Sequence, residues 1–139
     1  MSLKKITPII TVDAIEPCLL FWTGLGFKIS AEVPHEDALG FAMLEKDAVE
    51  LMYQSRASLE ADLVASGAPK ELPGQLTDSN ILLFIEVDSV DDTLEAIGDD
   101  AEIVVPRRET FYGMDEVFVR APCGTVVGFA ARVEEASEA

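Results

Sequence analysis

Glu50 interrupts a strand-like apolar run, Ala48-Val49-Glu50-Leu51-Met52-Tyr53. A carboxylate flanked by Val49, Leu51 and Met52 loses hydration, and that favours its neutral form unless a cation is close. Three roles suit it: binding a cationic ligand, acting as a general base, or pairing with an arginine such as Arg120. Glu86 is a second carboxylate on an apolar run, near its end, where water serves it as well as a ligand does. Phe111, Tyr112 and Gly113 precede the last hairpin in a segment of turn character; they form an aromatic lid or plug a sheet edge. The one histidine, His35, lies beside Glu36 and Asp37 in the polar loop HEDALG, a setting for a solvated side chain or at best a weak surface metal site. Cys123 sits in a turn with nothing near it to lower its pKa, so it does not read as a nucleophile. No Gly-rich phosphate loop, nucleophile elbow or Ser/His/Asp set is present.

The elements that must position these residues are written twice. Ile10 to Trp22 reads ITVDAIEPCLLFW, and Ile85 to Ile97 reads IEVDSVDDTLEAI. Val87, Asp88 and Leu94 each lie 75 residues after Val12, Asp13 and Leu19. Each copy is a strand ending in Val-Asp and then apolar residues at helical spacing: Ile15, Leu19 and Trp22, then Val90, Leu94 and Ile97. Two copies are too few for a solenoid and imply two related halves. In the first half the reading is strand Lys5–Val12, helix Asp13–Thr23 with Asp13 and Glu16 as a capping box, strand Phe27–Val33, loop Pro34–Ala38, and a hairpin of Leu39–Leu44 with Ala48–Gln54. A short helix over Ser58–Ser66 and a Pro/Gly-rich linker over Ala68–Asn80 follow. The second half reads strand Ile81–Val87, helix Ser89–Ile97, strand Glu102–Pro106, and a hairpin of Glu116–Ala121 with Thr125–Arg132. Its turn, Ala121-Pro122-Cys123-Gly124, suits type I. The acidic tail from Glu134 to Ala139 is expected to fray.

Composition narrows the function. Acidic side chains number 26 against 10 basic, a net charge of −16. That repels phosphate backbones and anionic membrane surfaces and attracts organic cations, so neither nucleic acid nor membrane is an expected partner. Acidity also simply keeps a protein soluble. No apolar run approaches the roughly 20 residues of a membrane span. Two cysteines make no disulfide framework, which points to the cytoplasm.

The doubled strand-helix-strand-strand-strand order resembles the vicinal-oxygen-chelate superfamily, which contains glyoxalase I, extradiol dioxygenases, fosfomycin-resistance enzymes and bleomycin-resistance proteins. The first helix exit, FWTGLGFKI, is similar to the aromatic pair and Leu-Gly-Phe of that family, and VFVRAPCGTVVGFAA is similar to its closing hairpin. The resemblance covers about Lys5 to Arg132 and implies an α+β fold of two tandem βαβββ modules forming a cupped, mostly antiparallel sheet. It makes the chain a single domain, with module 1 over about 5–55, helix and linker over about 56–80, and module 2 over about 81–133. Metal-dependent members hold a divalent ion on four strand residues. Carried over by position, these are Thr7, Glu50, Leu82 and Gly128, and a Leu and a Gly cannot ligate. The resemblance thus implies no metal and no cofactor, closest in logic to the bleomycin-resistance branch, whose members sequester a drug as dimers.

Strand alternation then assigns the lining of the cup between the modules. With Thr7 facing it, so do Ile9 and Thr11; with Glu50, Ala48 and Met52; with Leu82, Phe84 and Glu86; with Gly128, Val126 and Ala130. Gly128 is expected to leave room where the family often has a glutamate. The leading expectation is metal-independent binding of a small organic molecule, cationic by the charge argument, through Thr7, Thr11, Glu50, Met52, Phe84, Glu86, Tyr112 and Arg120, in a homodimer. The alternative is a lyase, isomerase or dioxygenase-type enzyme with Glu50 as its catalytic base.

Overall fold

A computed structural model describes residues 1, 4–78 and 81–133. The expected tail from Glu134 and the end of the linker, Ser79 and Asn80, lie outside the described residues. The chain divides into two compact units at residues 80 and 81, matching the halves of the repeat.

Unit 1 runs β1 (Ile9–Val12), α1 (Glu16–Gly24), β2 (Lys28–His35), β3 (Ala38–Lys46), β4 (Val49–Ser55), α2 (Arg56–Ser66) and α3 (Leu72–Thr77). Its four strands form one mixed sheet in the order β1-β4-β3-β2, with β1 parallel to β4 and the other pairs antiparallel. Unit 2 runs β5 (Leu83–Glu86), α4 (Val90–Ile97), β6 (Glu102–Glu109), β7 (Met114–Arg120) and β8 (Val126–Arg132), with the equivalent order β5-β8-β7-β6. The βαβββ order is therefore observed in both halves.

Local chemistry explains the departures from expectation. The first helix starts at Glu16, not Asp13, and no side chain caps it. Pro17 lies in its first turn, where a missing N–H costs nothing. The Glu16 carboxylate instead accepts the Leu39 N–H at 2.7 Å. The buried stripe runs through Ile15, Cys18, Phe21 and Trp22, leaving Leu19 only half-buried. Trp22 Nε1 donates to the Tyr53 hydroxyl at 2.9 Å, which satisfies both polar atoms in the core and fixes α1 over the Leu51, Tyr53 and Ser55 face of β4.

The expected loop Pro34–Ala38 is a tight turn: β2 continues to His35, which pairs with Ala38, and Glu36 takes a positive φ of 55°. The linker carries the short helix α3, which a Pro-Gly pair had hidden; Pro73 is in its first turn. In unit 2, Ser89 caps α4 by accepting the Asp92 N–H at 3.1 Å. The β6 strand extends past Pro106 to Glu109; as an edge strand with register shifts, it tolerates the lost donor. The turn after β7 closes with Gly124 N–H donating to Ala121 C=O at 2.8 Å. Neither cysteine is a free thiol, Cys123 in its turn included, and Cys18 is fully buried.

Candidate functional site

On β4 the residues alternate in burial. Leu51, Tyr53 and Ser55 are buried beneath α1, while Glu50, Met52 and Gln54 are half-buried on the other face. Register carries that second face across the sheet. Ile9 pairs with Met52 and Thr11 with Gln54; Met43, Phe41 and Glu45 lie opposite Met52, Gln54 and Glu50. Ile9 is exposed, whereas Thr11 is buried and so is not a free lining group. Ala48 falls in the turn before β4 rather than on the face.

Glu50 lies at one end of this face. Its Oε1 accepts the Thr7 hydroxyl at 2.8 Å and the Lys5 ammonium at 2.9 Å. The Glu50 side chain is 19% exposed and that of Lys5 67%. The Lys5 hydrogen bond, then the Thr7 hydrogen bond, hold the Glu50 carboxyl below the ordinary carboxylate range, against the opposing effect of desolvation. The arginine considered at the sequence level is not this partner: Arg120 pairs with Glu102 at 3.4 Å. Strand alternation had the information, since Lys5 is two residues before Thr7 and so shares its side. Yet the segment before Ile9 is not strand; its register is held by the Met52 N–H donating to Pro8 C=O at 2.9 Å.

Unit 2 places Phe84 and Glu86 on the equivalent face of β5, both exposed. Phe84 pairs with Gly128, which pairs in turn with Phe118. The two rings are 6.2 Å apart at a tilt of 43°. A Cβ built on Gly128 would lie 2.5 Å from Phe118 Cε2, so the ring occupies the room expected there. Counted along the β5–β8 register from the Leu83–Val127 pair, the residue beside Leu82 is Val126 rather than Gly128.

Sequence reading missed Glu116. It is 1% exposed on β7, paired with Ala130. Arg108 donates to Oε1 at 3.0 and 3.3 Å, and the Tyr112 hydroxyl donates to Oε2 at 2.9 Å. Tyr112 is thus tied to a carboxylate, while Phe111, edge-on to it at 5.1 Å, is fully exposed. The eight residues named from the sequence fall into two sets. Thr7, Thr11, Glu50 and Met52 belong to unit 1, where Thr7 and Glu50 touch. Phe84, Glu86, Tyr112 and Arg120 belong to unit 2.

This arrangement has many structural counterparts. A glyoxalase-related enzyme from Fulvimarina pelagi superposes with a TM-score of 0.70 at 15% identity, covering 94% of this chain and 89% of that one. A glyoxalase/bleomycin resistance protein/dioxygenase from Nocardioides gives 0.65 at 20% identity, covering 96% and 87%. The bleomycin-binding protein from bleomycin-producing Streptomyces verticillus, complexed with copper(II)-bleomycin, gives 0.59 at 20% identity, covering 97% and 99%. No family model and no curated protein sequence matches the chain. The fold is that of the glyoxalase/bleomycin-resistance structures.

The metal that this fold implies does not fit the residues present. The four positions offer one hydroxyl and one carboxylate, whose Oε1 already takes an ammonium. Leu82, and Val126 or Gly128, offer no donor side chain, and the Phe118 ring closes over Gly128. Among the described residues no group of three His, Cys, Asp or Glu is placed to hold an ion.

Proposed function

We propose that this chain binds a small organic molecule without a metal, on the sheet face of unit 1 that carries Thr7, Ile9, Glu50 and Met52. The observation that carries this reading is Glu50: a largely buried carboxylate, kept ionised, beside the apolar side chains of Ile9, Met52 and Met43. A fixed anion next to an apolar platform selects molecules that pair a cationic group with an apolar body. Methionines adapt to varied shapes, as suits a binder of bulky compounds. The fold-level likeness to a bleomycin-binding protein supports binding of this general kind. In unit 2, Tyr112 and Arg120 are engaged by Glu116 and Glu102.

Glu50 as catalytic base is the weaker reading. A base working near neutral pH needs a raised pKa, and Glu50 is shifted the other way by Lys5. As to assembly, we infer a homodimer, the commonest closed oligomer, with an apolar interface because each copy carries a net charge of −16. Light scattering at ordinary salt tests it, and a monomer at micromolar concentration refutes it.

The functional test is a thermal-shift panel of organic cations and neutral analogues, followed by calorimetry on wild type and Glu50→Gln. Binding that weakens in the variant while the fold holds supports the reading. Unchanged affinity together with marked loss of stability makes Glu50 structural and overturns it. Elemental analysis with about one tightly held metal per chain would overturn the metal-free part.

A further inference from the structure

We propose that Lys5 is a tethered stand-in for the ligand: the Glu50 site takes a primary organic ammonium ion, which binds by displacing the Lys5 ammonium. This rests on the small-molecule reading above and names its ligand class.

The two partners of the ion pair are unequal. Glu50 is largely buried and hydrogen-bonded by Thr7, so it stays where it is. Lys5 reaches it from outside the sheet, with its own side chain mostly in water. Its segment precedes β1, and the next residue, Ile6, is 94% exposed. The described tie beyond Lys5 and Thr7 is the Pro8 carbonyl, three residues along. An exposed lysine on such an arm gives up its place at little cost, because ion pairs reaching into water are weak.

The surroundings favour a second cation. Glu45 lies directly across from Glu50 on β3, so the two carboxylates share one face. Like charges opposite each other destabilise a sheet, and a cation between them relieves this. Lys28 is the register partner of Glu45 on β2, the strand on the side away from Glu50. Thr7 supplies a fixed hydroxyl whose oxygen can accept from an N–H of the incoming group while its proton stays on Glu50. A single ammonium head fits this set: it needs acceptors in several directions and carries three donors. Beyond it, Ile9, Met52 and Met43 offer an apolar surface for the organic body.

The experiment is calorimetry with a series of arylalkylammonium ions, benzylammonium to phenylbutylammonium, each matched with its neutral alcohol. It is run on wild type, Lys5→Ala, Glu50→Gln and the double variant. Removing a tethered competitor that holds its site by an exposed ion pair should tighten ammonium binding about two- to five-fold in Lys5→Ala. Glu50→Gln should weaken ammonium binding roughly tenfold or more in both backgrounds, and the alcohols should not respond to Lys5→Ala. Ammonium binding that is unchanged or weaker in Lys5→Ala overturns the proposal, since Lys5 is then a structural or ligand-contacting residue. If the ammonium ions fail everywhere but the wider panel yields a neutral ligand sensitive to Met52→Glu, the stand-in idea falls and the binding reading survives. If nothing in either set binds, both fall.

Discussion

Glu50 of unit 1 and Glu116 of unit 2 each sit on an inner strand with a cation on them, and the two are handled in opposite ways. Glu50 of unit 1 is held by one hydroxyl and by a lysine on an arm outside the sheet. Glu116 of unit 2 is almost fully buried, gripped by a guanidinium on one oxygen and a phenol on the other. Arg108 pairs with it from the adjacent strand, and Tyr112 comes from the turn joining β6 to β7. One carboxylate is satisfied by parts that can leave; the other is locked by the strands that carry it. Unit 2 also fills the space over Gly128 with Phe118, whereas unit 1 has Met52 paired with an exposed Ile9 at the matching place in the register. The two halves of the repeat have diverged in how firmly each holds its carboxylate. Identical topology therefore does not imply an identical role, because burial and partner mobility decide what a carboxylate can do.

The largest expected effect lies on the Glu116 side. Glu116→Ala removes a buried side chain together with hydrogen bonds from Arg108 and Tyr112, and should cost about 2–4 kcal/mol in urea denaturation. It should leave ligand affinity in unit 1 unaltered. A loss within about 0.5 kcal/mol, the range of an ordinary surface substitution, would mean that Glu116 is as dispensable as Glu50 and would break the contrast.

Next comes the plug. Gly128→Ala forces Phe118 to move and should cost about 1–3 kcal/mol. In a Phe118→Ala background the same change should cost far less, a coupling that a double-mutant cycle reads directly. Equal costs in both backgrounds would mean that the ring is not what fills that space.

The fold was legible because the repeat, the Val-Asp strand ends and the hairpin turns are all local signals. Glu50 was legible for the same reason: a charge in an apolar strand stands out. Its partner was not. Lys5 sits 45 residues away in sequence, in a stretch that is not strand, and only the β1–β4 pairing brings it near. Glu116 was hidden because the charged sequence Asp115-Glu116 looks solvent-facing, and its burial depends on Arg108 and Tyr112 folding over it. The room expected at Gly128 failed for a related reason: a glycine tells what is missing at its own position, not that the Phe118 ring, from the neighbouring strand, has taken the space. The α3 helix was lost to Pro73 and Gly74, which punctuate most chains but are tolerated in the first turn.

A smaller effect sharpens the Glu50 side. Glu50→Gln should leave the melting temperature close to that of wild type, since Lys5 returns to water and Thr7 can still donate to the amide oxygen. Affinity for a cationic ligand should drop roughly tenfold or more, as expected for a lost charge-assisted hydrogen bond. Stability loss comparable to that of Glu116→Ala would erase the distinction between the units.

The smallest effect is in acid. Glu50 is held below the ordinary carboxylate range by Lys5 and Thr7, and Asp91 of unit 2 by Arg107, which also holds Asp115. Groups whose folded pKa is depressed contribute stability that is present above their unfolded values, about 4.3 for Glu and 3.9 for Asp, and is lost as pH falls through the folded values. Both pairs reach into water, so each contributes little and salt should weaken it further. Chemical denaturation of wild type should therefore show a shallow decline beginning below about pH 5. Glu50→Gln should remove the unit 1 share of that decline and Asp91→Asn the unit 2 share, each flattening the curve without lowering the neutral plateau by more than the pair itself contributed. A ligand ammonium ion on Glu50 should push the unit 1 share to still lower pH, because a tighter cation deepens the depression. If saturating ammonium leaves the acid limb of wild type and of Glu50→Gln shifted equally, the ligand is not seated on Glu50, and the two units differ only in how firmly each is built.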